Sequence, residues 1–327
     1  MLFGLDMNSA INTMYIYRLR SVAVTQYLGI DIGASGFKYG IGSSKLGLQH
    51  FALKRNFDRS IEGFRKVVSD ILAESAHHEL SGICIGSPGT ITYPEGKIVG
   101  RNPNLPFFTD IKPADLVPDG MNIPVCVDND ANLMALAEAC LKDCRVCVGI
   151  TIGSGIGCGI VHRRNIYHGA RGFAGEAGHI IVYPDGLLCT CGQKGCMEAY
   201  SSVDGIRRRL HEVHSPYAGL DLPNLIASRQ RYDEIDKFIT EGEQVLIRGL
   251  ANLCSVLNPD LLILGGGAMD LALYNIKNVE DGIKKLIPPA HAQCFRCVHA
   301  SYGNRAGVMG GIILCERLNY RNKNCIS

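Results

Sequence analysis

Two stretches of this chain are written alike: DIGASGFKYGIG, residues 31–42, and TIGSGIGCGIV, residues 151–161. Each reads as an apolar strand, a tight turn of glycine and other small residues, and a returning strand. One unit used twice predicts two related halves. The flanking sequence extends both copies. Around the first, strands are expected at 27–33, 37–42, 48–54, 80–86 and 124–127, with helices at 61–75 and 131–141. Around the second, strands are expected at 146–152 and 158–161, then helices near 203–213 and 234–256. A strand at 261–264 ends in three glycines, and a helix, a strand at 296–300 and a last helix near 305–318 follow. Strands alternating with helices make an α/β fold of layered sheets, with a cleft between the halves.

The chain has 327 residues, 46% of them hydrophobic, enough for two packed domains. A formal net charge of +2, with 20% charged residues, provides no global field for nucleic acid or an acidic membrane. No apolar run is long enough to span a bilayer. The first residues lack the basic start and continuous apolar stretch of a secretory leader. A cytoplasmic protein is expected, with residues 1–26 as a flexible arm. The 14 cysteines mostly sit in apolar runs such as GICIGSPG and PVCVDND. That is the pattern of buried free thiols in a reducing compartment, not of a disulfide scaffold.

The glycine turns suit phosphate. In DIGASGFK, Gly33, Ala34 and Ser35 are small enough for backbone N–H groups to surround an anion, and Ser35 adds a hydroxyl. Asp31 is placed to hold Mg²⁺ through water, and Lys38 supplies positive charge. A P-loop is excluded: no GK[ST] is present, and a strand follows the turn. Gly153, Ser154 and Gly155 form the second turn, and Gly265, Gly266 and Gly267 let a flat or bulky group approach the backbone. Each alone is equally a packing turn. Three in an alternating α/β chain favour a nucleotide.

VDNDAN, residues 127–132, puts two acids and two amides where a strand gives way to a helix. A carboxylate there can take a proton from a hydroxyl, although Asp130 could equally be a helix N-cap. Spacing does not choose between the two acids. Further on, His179 and the run CTCGQKGC supply one imidazole and three thiols, Cys189, Cys191 and Cys196. That is a closed tetrahedral set for a structural Zn²⁺. Iron–sulfur clusters normally take four thiolates, and a nucleic-acid loop would carry basic and aromatic residues. Instead Glu176 and Glu198 bracket the clip, so the metal would hold a loop that carries acids. Acids and amides suit a polyhydroxyl ligand, and Asn102 and Asn104 in RNPNLP add two more amides.

Together these residues resemble the ROK family of repressors, open reading frames and kinases, over about residues 27–318. DIGASGFK looks like its first phosphate motif, TIGSGIGCG like its second, and LILGGG like its adenosine-side glycines. GEAGH followed by C-x-C-G-x-x-G-C-x-E looks like its zinc signature. The resemblance implies a two-domain actin-like ATPase fold of the ribonuclease H-like kind. Residues 27–130 and 305–327 would form a small domain, and 131–304 a larger one carrying zinc. It also implies ATP-dependent phosphorylation of a hexose, with Asp130 as the base on the 6-hydroxyl. Asn104, Asn129, Glu176, His179 and Glu198 match the sugar-contacting positions. His179 would serve twice, one ring nitrogen on Zn²⁺ and the other donating to the sugar.

Ala34 and Ser35 replace the usual Gly-Thr, and Ser154 the usual Thr, keeping small residues and a hydroxyl. The segments RNPNLPFFTDIKPADL, GGGAMD and FRCVHASYGNRAGVMGG look most like D-allose kinases; glucokinase and N-acetylmannosamine kinase are the alternatives. A homodimer or dimer of dimers is expected from the same resemblance. Repressors of this family carry a helix-turn-helix domain ahead of the first phosphate motif, and 26 residues precede Tyr27 here, too few for one. A sugar sensor without kinase activity would be marked by loss of the base or of the phosphate turns, and both are present.

Overall fold

The computed structural model describes residues 25–33, 36–100 and 105–324. Most of the expected N-terminal arm, together with Ala34, Ser35, Asn102 and Asn104, lies outside them.

The first half runs β1 (Gln26–Gly33), β2 (Gly36–Ser43), β3 (Gly47–Lys54), α1 (Ile61–Glu74), β4 (Leu80–Ser87), β5 (Thr90–Ile91), β6 (Ile98–Val99), β7 (Val125–Asn129) and α2 (Asp130–Lys142). The second runs β8 (Val146–Ile152), β9 (Ile156–His162), β10 (Asn165–Ile166), α3 (Met197–Ser201), α4 (Val203–Glu212), α5 (Leu222–Ser228) and α6 (Asp233–Leu257). It continues through β11 (Leu261–Gly265), α7 (Gly267–Asp270), α8 (Ile276–Leu286), α9 (Pro289–Cys294), β12 (Cys297–His299) and α10 (Ala306–Asn324).

The repeat read from the two glycine turns is a repeat of topology. One sheet has the order β3-β2-β1-β4-β7 and the other β10-β9-β8-β11-β12. In each, the first strand lies in the middle, antiparallel to the second and parallel to the fourth. Parallel neighbours need crossovers, and helices lie in all of them except that from β4 to β7, which runs through β5, β6 and one 3-10 turn.

Both sheets are covered on two faces, so β1 is an almost unbroken buried run. Its alternation sends Leu28, Ile30 and Ile32 into a core with Phe64, Val67 and Val68 of α1. Gly29 and Asp31 lie on the opposite face, toward α10. A side chain at Gly29 would strike the Val308 carbonyl at 2.4 Å, so glycine is what lets α10 lie this close. The second sheet repeats the device: a Cβ on Gly149 would meet Ala135 of α2 at 2.8 Å. Thus α2 leaves the first sheet and packs on the second, while α10 leaves the second and packs on the first. The two helices also pack on each other. A large core under α3, α4, α6 and α8 supports the second sheet.

The structure departs from the expected elements mainly in short pieces. β5, β6 and β10 are two residues each, too short to show a period of two. Among the described residues, no helix is long and apolar enough to cross a membrane.

Candidate active site

The carboxyl ends of β1, β7 and β8 open on one cleft of about 800 Å³. Asp31, Lys38, Asn129, Asp130, Gly153, Ser154, Gly155, Glu176, His179, Cys189, Cys191, Glu198, Gly266 and Gly267 all line it. Residues chosen from separate motifs therefore meet in space. A smaller cavity of about 280 Å³ lies at the other end of β11, beside Asn258 and Asp260.

On the side of the first hairpin, Asp31 and Lys38 are cross-strand partners in β1 and β2. Their side chains pair, Lys38 Nζ donating to Asp31 Oδ2 at 3.0 Å. Asp31 is buried, and the first turn of α10 closes against it: a Cβ on Gly307 would fall 2.8 Å from its carboxylate. The positive end of a helix favours an anion there. In the second hairpin, Gly153 N donates to the Gly155 carbonyl at 3.0 Å. The turn is fixed from outside by Glu198, whose Oε2 accepts the Ile156 N–H at 2.8 Å. Gly266 precedes α7 with φ +89°, where glycine is at ease, and Gly265 ends β11 with Ala300 packed close beside it.

Asp130 stands at the centre, between these turns and the acids of the cysteine loop. It is the first residue of α2, and the N-cap is Asn129 rather than Asp130. Asn129 Oδ1 accepts from Ala131 N at 2.9 Å and Asn132 N at 3.2 Å, and its Nδ2 donates to the Gly89 carbonyl at 3.0 Å. With capping assigned to Asn129, the Asp130 carboxyl keeps one short contact, accepting Ala131 N–H at 2.9 Å. It is half-buried by surface yet deep between the two lobes. Burial and the nearby Asp31 charge push its pKa up to about 7, against the pull of the Ala131 N–H and of Lys38. A carboxyl so poised is matched to proton transfer at neutral pH.

At the far end, Glu176 Oε1 accepts the Thr90 hydroxyl at 3.2 Å. Its Oε2 lies 3.9 Å from His179 Nε2. The other ring nitrogen, Nδ1, faces the cysteines, 3.6 Å from Cys189 Sγ. Cys191 Sγ and Cys196 Sγ are 3.7 Å apart, and all four ligand atoms lie within 4.8 Å of one another. Tetrahedral zinc, with bonds of about 2.3 Å to sulfur and about 2.05 Å to nitrogen, would set such pairs about 3.8 and 3.6 Å apart. The two closest pairs match. Burial pushes the Cys189 and Cys196 thiols up, so thiolates at this spacing call for a divalent cation, and Zn²⁺ fits the set. The loop itself is a tight hairpin, with Cys189 N donating to the Gln193 carbonyl and Gly192 N to the Cys189 carbonyl.

Some residues of the cleft were not signalled by motif. Thr90 lies in β5, which the sequence did not signal, and its partner Glu176 is 86 positions away. Asp204, Arg208, Asp270 and Asn304 also line the cleft. None of the four was named as a site residue from the sequence, although Asp270 and Asn304 lie in the segments GGGAMD and FRCVHASYGNRAGVMGG.

A glucokinase from Thermotoga maritima is 28% identical over 313 residues, spanning 89% of this chain and 98% of that protein. A xylose repressor from Bacillus spizizenii is 25% identical over 301 residues, spanning 86% of this chain and 75% of that protein. Among solved structures, a ROK family glucokinase from Streptomyces griseus in complex with glucose and AMPPNP superposes with a TM-score of 0.75. It is 25% identical, and the match spans 89% of this chain and 99% of that one. The fold is thus the two-domain actin-like ATPase fold. The ROK family model matches residues 27–317, nearly the whole described chain, and this protein belongs to the ROK family.

Proposed function

We propose that the chain is an ATP-dependent hexose kinase acting on the 6-hydroxyl of its sugar. The observation that carries this reading is Asp130. Its pKa is pushed up to about 7, and it lies in one cleft with two glycine hairpins and the Glu176–His179–Glu198 group.

Asn129, Glu176, His179 and Glu198 would hold the sugar, and Asn104, outside the described residues, is the remaining expected contact. His179 is divided between two tasks by its geometry, Nδ1 toward the thiols and Nε2 toward the open cleft and Glu176. The clip of Cys189, Cys191 and Cys196 then acts as a splint for the sugar loop, and zinc supplies rigidity rather than chemistry. Asp130 takes the hydroxyl proton as the oxygen attacks the γ-phosphorus in line, and the bond from that phosphorus to the β,γ-bridging oxygen breaks, releasing ADP. Gly33, Ala34 and Ser35 of one hairpin, and Gly153, Ser154 and Gly155 of the other, cradle the phosphates from two sides. Gly265, Gly266 and Gly267 leave room for the adenosine. Lys38 offsets charge on the transferring group, and Asp31 would hold Mg²⁺, which neutralises phosphate charge when bound. Phosphoryl transfer asks mainly for positioning and electrostatics, and this cleft is built for both.

The finer assignment is D-allose. It rests on the likeness of the segments 101–116, 265–270 and 295–311 to D-allose kinases. Glucose is the first rival, since the Thermotoga maritima and Streptomyces griseus relatives are glucokinases; N-acetylmannosamine is the second. A coupled ADP-release assay with D-allose, D-glucose, N-acetylmannosamine, D-fructose and D-mannose tests both levels. Turnover of one sugar far above the rest supports the kinase reading and names the substrate. Sugar binding without any turnover would shift the reading to a sugar-responsive regulator, as the xylose repressor relative suggests.

A further inference from the structure

Asp128 neighbours the proposed base yet does not line the cleft. It is buried, and both of its carboxylate oxygens accept from protein donors. Oδ1 accepts from Asn129 N and Asn132 Nδ2, each at 2.8 Å. Oδ2 is 2.7 Å from His168 Nε2, and since a carboxylate accepts, that nitrogen carries the proton. His168 comes from the second half, just after β10. Its side chain is 14% exposed.

His168 makes two further contacts. The ring of Tyr93, from the β5–β6 hairpin of the first half, stacks on it with centroids 3.9 Å apart and planes 8° from parallel. Its carbonyl accepts from Gly172 N at 3.1 Å and Ala174 N at 3.2 Å, shaping the turn that leads to Glu176. Beside this stack, Tyr93 N donates to the Arg171 carbonyl at 3.0 Å.

These contacts close a ring around the sugar end of the cleft. Asn129 Nδ2 reaches Gly89, the next residue Thr90 reaches Glu176, and the 168–174 turn leads from Glu176 back to His168. His168 returns to Asp128, which is bonded to Asn129. Both halves of the chain contribute. A hydrogen bond to a buried carboxylate is among the stronger ones, and cutting it leaves a buried charge with one donor fewer.

We propose that His168 is a positioning residue: by donating Nε2–H to Asp128, under the Tyr93 ring, it fixes the β7–α2 junction that aims Asp130 and the turn that aims Glu176. The effect on turnover rests on the kinase reading; the effect on the junction does not. His168→Phe keeps a ring for Tyr93 and loses the donor. His168→Gln keeps an N–H close to where Nε2 stands.

The test combines amide hydrogen exchange on the intact chain with steady-state kinetics. In His168→Phe, exchange at 128–132 and 170–176 should rise about tenfold or more. Its kcat should fall by about 10²-fold, the scale of a 1 Å misplacement, with KM for ATP within about twofold. His168→Gln should restore most of kcat, which a residue needed only for folding would not predict. Should His168→Phe fail to fold, His168→Met, flexible and without a donor, takes its place. Unchanged exchange at the junction overturns the proposal, and so does raised exchange with unaltered kcat. A wild-type chain inactive on every hexose refutes the kinase reading, and exchange then decides the positioning role alone.

Discussion

Glu198 Oε2 accepts the Ile156 N–H at 2.8 Å, and Oε1 accepts the Thr190 hydroxyl at 3.1 Å. One carboxylate joins the second glycine hairpin to the loop that carries the cysteines. The proposed sugar and phosphate ends are therefore joined through one side chain here. Glu198→Ala should raise KM for hexose and for ATP together, each by about tenfold or more, the scale of a lost charged hydrogen bond. Glu198→Gln keeps an acceptor for Ile156 N and should recover most of the ATP effect. A rise in hexose KM alone would show that the hairpin holds its shape without Glu198.

Asp130→Asn should cut kcat by about 10²- to 10⁴-fold, the usual weight of a general base, while sugar and ATP binding by calorimetry stay nearly intact. In the wild type, kcat should rise with pH through an apparent pKa of about 7, because the deprotonated carboxyl is the form that would act as the proposed base. Near-normal turnover in the variant would remove Asp130 from that role.

The same carboxyl should leave a mark on stability. In the unfolded chain it titrates near 3.8, and in the fold at about 7. Between those values the folded state binds the proton more tightly, so rising pH withdraws stability as Asp130 ionises. Asp130→Asn removes that cost. The variant should melt a few degrees above wild type near pH 8, and the gap should close toward pH 4. An unchanged gap across that range would mean that the carboxyl is solvated enough to ionise freely.

Removing zinc should loosen sugar before nucleotide. Cys191→Ser, or chelation, should abolish bound zinc and raise hexose KM by about tenfold or more, since second-sphere supports of this kind commonly matter at that level. Metal analysis beside hexose titration checks it. Zinc-free protein with unchanged sugar affinity would sink the splint.

Much of this was legible in the sequence because the informative features are local. DIGASGFK and TIGSGIGCG each hold a strand, a turn and a strand within a dozen residues, and their likeness exposed the doubled topology. The cysteine clip was readable from spacing alone, since its ligands lie within 18 positions. Other contacts join distant positions. Thr90 finds Glu176, and Asp128 finds His168, across 86 and 40 residues. No periodicity encodes such pairs. Asp130 as N-cap was a fair expectation from VDNDAN, but the strand runs two residues further than expected, to Asn129. Asn129 therefore takes the cap and leaves Asp130 facing the cleft.

Gly307 offers the cleanest way to separate the two ends of the cleft. It sits in the first turn of α10, where an added Cβ would lie 2.8 Å from both Cγ and Oδ2 of Asp31. Contacts that short are not tolerated, so the carboxylate or the helix must move. Asp31 is also the partner of Lys38 at 3.0 Å, and moving it disturbs both charges assigned to the phosphates. None of Asn129, Glu176 or His179 is among the nearest neighbours of that Cβ. Gly307→Ala should therefore weaken binding of a non-hydrolysable ATP analogue with Mg²⁺ by about tenfold, while hexose binding without nucleotide stays within about twofold. Equal losses for both ligands would mean that α10 shifts as a body and carries α2 with it, since the two helices pack on each other. Losing the nucleotide alone would place the effect on Asp31 and Lys38.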